Sequence, residues 1–78
     1  MPAGKLNSAE VLTSFGERIF GNSWGAGVGR LAGVHERTVL RIAAAAREGR
    51  DYRSAREVLA ALLAGLEPIM VDLRRAVR

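Results

Sequence analysis

The chain has 78 residues, enough for one small domain with a modest core of four or five helices and too few for a doubly wound sheet or a second domain. It contains no cysteine, which excludes a disulfide framework and a zinc ribbon, so packing must hold it together, alone or helped by dimerisation. The net charge of +4 is concentrated in mid-chain: residues 1–29 and 57–78 each balance, while Arg30, Arg37, Arg41, Arg47, Arg50, Arg53 and Arg56 face only Glu36, Glu48 and Asp51.

A basic segment built from arginine suits phosphate and base-edge recognition by a planar fork of donors; a solvated helix face is the alternative. No apolar stretch near the N-terminus has the character of a signal peptide, and the apolar run at 59–66 is far short of the ~18 residues of a membrane span. A soluble cytoplasmic protein with no membrane contact is expected.

Strand signals are nearly absent, because Ala, Leu, Arg and Glu dominate and no alternating β-branched run occurs. The expectation is an all-α, compact four- to five-helix domain spanning 1–78. Residues 1–6 are expected to be flexible. "NSAE" then offers Asn7 or Ser8 as a cap with Glu10 in the first turn. Val11, Leu12, Phe15, Ile19 and Phe20 follow at helical spacing, and Gly21 stops this first helix.

"GNS" reads as a turn with Asn22 or Ser23 as the next cap, and a second helix runs from about 24 to 32. Gly33 breaks it. A third helix, about 35–48, begins near His35 or Glu36 and closes at Gly49, a natural left-handed terminator. Val39, Ile42, Ala43 and Ala46 repeat on its core side; Arg37, Leu40, Arg41 and Ala44, with Arg47 and Glu48 beyond, form the opposite stripe. "RDYR" is a polar loop, and "SARE" reads as a second capping box of Ser54 with Glu57. A fourth helix carries Val58, Leu59, Leu62, Leu63 and Leu66. Gly65 is expected to interrupt it, and Pro68 to start a fifth helix, about 67–78.

The glycines of "WGAGVGRLAGVH" satisfy the spacing of a dinucleotide fingerprint, but no buried strand precedes them and no lysine followed by Ser or Thr comes after. They make better sense as a sharp helix–helix turn. Gly33 supplies the positive φ, and Gly29, four residues earlier, supplies the small residue where two helices cross. Val28, Ala32, Val34, Val39 and Ile42 provide the apolar contacts. No packing reason for Gly27 is visible at this level.

In "RLAGVHERTVLRI", Gly29, Gly33, Val34, Arg37, Thr38, Val39, Arg41 and Ile42 fall on one pattern: a small residue, a turn glycine, an aliphatic, a polar cap and "RTV". That stretch resembles the helix-turn-helix of phage repressor and Cro-type DNA-binding regulators. Trp24 behind "FGNS" is similar to small prophage-type members. The resemblance covers residues 20–42. Gly25 departs from it, standing where the family usually has a phosphate-touching glutamine, and Gly29 and Ala32 are smaller than usual.

The resemblance implies that the third helix enters the major groove while the second crosses the phosphate backbone. Glu36, Arg37, Leu40 and Arg41 are then the base-reading candidates. Arg37 and Arg41 suit guanine, Glu36 the cytosine amino group, and Leu40 a thymine methyl; first-turn charge favouring the helix dipole is the alternative for Glu36. Phosphate candidates are Asn22, Ser23, Arg30, Thr38 and the free N–H groups opening the second helix, with Arg47, Arg50, Tyr52 and Arg53 after the third. Trp24 is expected to pack on the third or fourth helix, its indole N–H toward a phosphate. His35, the only histidine, fits a cap or a phosphate contact, and no metal site is expected.

No cofactor, small-molecule ligand or catalytic constellation is expected, since no nucleophile stands beside a positioned base. One recognition helix reads only a few base pairs, so the family binds near-palindromic operators as a homodimer. Ile69, Met70, Leu73 and Val77 are the interface candidates, an ordinary core helix being the alternative. The function expected is an autoregulating transcriptional repressor of a small operon, of phage, mobile-element or anti-CRISPR-associated type. The competing expectation is a helical interaction module, antitoxin-like, that neutralises a protein partner.

Overall fold

The computed structural model describes residues 6–78, so most of the N-terminal stretch expected to be flexible lies outside the described residues. Four α-helices follow one another: α1 (Ser8–Phe20), α2 (Trp24–Ala32), α3 (Glu36–Arg47) and α4 (Ala55–Val77), with a 3-10 turn, Gly21–Ser23, between the first two. No strand occurs among the described residues. The all-α expectation holds, but the fourth and fifth helices are one.

The helix ends follow their local chemistry. Asn7 caps α1: its side-chain oxygen accepts from the Glu10 N–H at 2.8 Å, and the Glu10 carboxylate accepts from the Asn7 N–H at 3.0 Å. Gly33 ends α2 in the left-handed region at φ 72°, and the Val34 N–H returns to the Gly29 carbonyl at 2.9 Å. After α3 the N–H groups of Gly49 and Arg50 return to the carbonyls of Ala46 and Ala45, a closure that needs the φ of 73° at Gly49. The expected Ser54–Glu57 capping box does not form. Ser54 sits at φ −96°, ψ 4°, not in the extended conformation that turns a cap oxygen toward the next turn, and the Ala55 N–H goes to the Tyr52 carbonyl instead.

The core is thin. Leu12, Val28, Val39 and Ile42 are its largest fully buried side chains, joined by Ala9, Ala43, Ala55, Val58, Leu62 and Trp24. A core this small tolerates little distance between helices, and glycine is what shortens the distance. On α2, a β-carbon at Gly29 would stand 2.8 Å from the Val34 carbonyl oxygen, which accounts for the small residue at the crossing with α3. At Gly27 it would meet the Phe20 ring at 2.7 Å, the packing reason that the sequence hides.

Gly65 and Pro68 correct the expected break in α4. Gly65 is the point where α4 lies on the backbone of α2: a β-carbon there would collide with the Leu31 carbonyl oxygen. Pro68 stays inside the helix. It deprives the Ala64 carbonyl of its donor, but both residues are exposed, so water can take the donor's place. Trp24 is also placed differently from expectation. Its six-membered ring lies over Gly16 of α1, where any side chain would occupy the same space.

These contacts set two expectations. Gly16→Ala and Gly65→Ala should each lower stability by about 1–3 kcal/mol in urea unfolding, although alanine favours an isolated helix by ~1 kcal/mol, because overpacking outweighs propensity. Gly65→Ala should be the worse of the two, since the obstacle is backbone.

Candidate nucleic-acid interface

The surface of interest begins at the α2–α3 turn. His35 is the N-cap of α3, its ring Nδ1 accepting from the Arg37 N–H at 3.0 Å, so the cap role foreseen for it is the one it fills. That bond orients the first turn. Val39, Ile42 and Ala43 then point into the core, and Ala45 is buried as well, while Ala46 is only half-buried. Glu36, Arg37, Leu40, Arg41 and Ala44 are all exposed, and Leu40 keeps 51% of its surface in water. The four base-reading candidates therefore share one face.

Gly25 explains how this face meets α2. A β-carbon there would lie 3.1 Å from Cδ2 of Leu40 and 3.6 Å from Cγ of Glu36, so both side chains rest against the bare backbone at the start of α2. The glycine that departs from the family pattern thus makes room for Leu40. It also sets the α2 N-terminus beside the first two turns of α3. Ser23 occupies the cap position of α2 without making a side-chain cap bond, and Asn22 and Ser23 are both exposed. Free N–H groups, two small polar side chains and the positive end of a helix dipole are gathered there.

Among the described residues the one ion pair is Arg50 with Glu48, both exposed, with Nε donating to the carboxylate at 2.8 Å. Arg30, Arg37, Arg41, Arg47 and Arg53 have no carboxylate oxygen within 4.0 Å and are exposed. A guanidinium held by no internal partner loses nothing when it meets a phosphate or a guanine edge.

The remaining phosphate candidates divide. Thr38 is half-buried on α3. Arg47 borders a shallow groove with Glu10, Thr13, Ser14 and Glu17, facing the acidic side of α1. Tyr52 is half-buried against the core, and its loop is anchored by Asp51, whose Oδ1 accepts from the N–H groups of Ala9 at 3.0 Å and Tyr52 at 2.9 Å. Arg53 lines a second groove with Arg56, which sequence reasoning placed in the basic segment without singling out. Trp24 is only 8% exposed, so its ring belongs to the core and not to a phosphate surface.

The described residues include no cluster of three or more His, Cys, Asp or Glu side chains of the kind that holds a metal, and no helix long and apolar enough to cross a membrane. No family model, curated protein or solved structure matches the chain.

The cap at His35 can be tested directly. His35→Ala should cost about 1 kcal/mol in thermal or urea unfolding, whereas His35→Asp, which restores an acceptor at the same place, should retain or raise the melting temperature.

Proposed function

We propose that this protein is a sequence-specific double-stranded DNA-binding regulator, with α2, the Gly33 turn and α3 acting as a helix-turn-helix. The observation that carries the reading is the first two turns of α3. They expose Arg37 and Arg41 one turn apart, neither held by a carboxylate, beside the uncapped start of α2. That pairing of base-edge donors with an anion-attracting helix end is what major-groove docking requires.

In the docked state the N–H groups opening α2, with Asn22 and Ser23, take one phosphate, and Arg30 takes a neighbour. This fixes the register of α3 in the groove. Arg37 and Arg41 then each present two donors to guanine O6 and N7, Leu40 meets a thymine methyl, and Glu36 accepts from a cytosine amino group. Two copies on a near-palindrome supply the affinity that one short helix lacks, and the protein acts as a repressor of its own small operon.

The test is fluorescence anisotropy on DNA from upstream of its own gene against a shuffled duplex, over a salt series. Tight binding confined to the native duplex, weakening with salt, is expected. Arg37→Ala and Arg41→Ala should each weaken specific binding by about 1–3 kcal/mol while leaving helicity and melting unchanged, because neither side chain contributes to the core. Equal, weak and steeply salt-dependent binding to both duplexes would overturn the reading, and a helical module that neutralises a protein partner would take its place.

A further inference from the structure

The last third of α4 has nothing packed on it: every residue from Glu67 to Arg78 is exposed. Yet it is not polar. Ile69, Met70, Leu73 and Val77 keep 43%, 45%, 60% and 85% of their surfaces in water, and Leu63 keeps 65%. A helical arm of this length is marginal in water without a surface to bury against.

The arm continues a stripe that is already in use. Ala55, Val58 and Leu62 are buried at spacings of three and four, Leu66 is half-buried, and Ile69, Leu73 and Ala76 carry the same spacing onward. The first half of the stripe is covered by this chain's own α1 and α2, and Gly65 touches the α2 backbone at the boundary. The second half is bare.

We infer that the bare half of α4 is the docking site for a second copy of this chain, whose own bare half lies across it antiparallel, about a two-fold axis near Met70. Two constraints select this occupant and this direction. A parallel partner would need its α1 and α2 in the space filled by those of the first copy, since both bodies sit on the same side of the stripe at the same height. An antiparallel partner places its body at the opposite end. The second constraint is charge. Glu67 and Arg74 lie seven residues apart on one flank of the stripe, and a two-fold axis between them brings each opposite the other's counterpart, giving two reciprocal ion pairs. In that register Ile69 packs beside Leu73 of the second copy, and Val77 covers Leu66 and the exposed Leu63.

This pairing deepens the two-copy part of the proposed function, but it involves no DNA and is measured without it. Sedimentation velocity of the full chain should give a particle of twice 8.4 kDa. Leu73→Glu should give the monomer with its helicity kept, because Leu73 lies outside the monomer core. Glu67→Arg should weaken the dimer at least several-fold, and adding Arg74→Glu should restore it. The chain has no cysteine, so direction can be read by disulfide trapping: Met70→Cys should link to itself under mild oxidation and Val77→Cys should not. A wild-type monomer, or a dimer indifferent to Leu73→Glu, would overturn the inference, as would self-linking of Val77→Cys as readily as Met70→Cys. A monomer that still selects its operator would overturn the pairing alone. A dimer that ignores DNA would overturn the functional reading alone.

Discussion

The nine residues of α2 touch every other helix, and they do so where side chains are missing. Gly29 admits the backbone that leads into α3, Gly27 admits the Phe20 ring, and Gly65 on α4 admits the carbonyl of Leu31. Each is a place where a methyl group would hold two elements apart. Glycine costs a helix ~1 kcal/mol per residue, so α2 would be poor as an isolated peptide. Its stability comes from the contacts that the glycines permit, and the helix and the tertiary structure form together or not at all.

This dependence shapes the surface as well as the core. Because α3 is held close at Gly29 and at the turn, its buried side is fixed by Val39 and Ile42, and the opposite side has no freedom to rotate inward. Arg37 and Arg41 are exposed for that reason and not merely because they are charged. The same closeness lays Leu40 and Glu36 on Gly25, joining the α2 N-terminus and the exposed face of α3 into one continuous surface.

Elements governed by local chemistry were legible in the sequence. The Asn7–Glu10 capping box, the left-handed glycines at 33 and 49 and the core side of α3 all depend on residues within a turn of one another. What was not legible depends on partners distant in sequence. Gly65 and Pro68 carry the local signature of a break, and only the approach of Leu31 from α2 shows why a glycine stands inside an unbroken helix. Ser54 and Glu57 have capping-box spacing, but the Asp51 anchor on α1 and the Tyr52 carbonyl set the entry of the chain and leave Ser54 in the wrong backbone conformation. The ring of Trp24 went to Gly16 and not to a later helix, because only at position 16 does α1 lack a side chain where the ring must lie. The four base-reading candidates were legible together, since amphipathic spacing alone put Glu36, Arg37, Leu40 and Arg41 on one exposed face.

The two unsatisfied surfaces of the molecule lie on different helices, and their separation is itself a consequence of how α2 is packed. α3 and α4 both rest on α2, and α4 packs against α1 and α2 without an extensive contact to α3. The arginine-bearing face and the apolar arm therefore do not compete for one partner. A charged face with no internal counter-ions favours an anionic partner, whereas the arm's apolar stripe, flanked by Glu67 and Arg74, favours a copy of itself. A thin core gives such an arrangement a thermodynamic reason: apolar area withheld from the monomer and buried between copies couples stability to concentration. A regulator that represses its own operon would have that coupling built into its fold, since the form that reads two half-sites would accumulate only as the chain itself does.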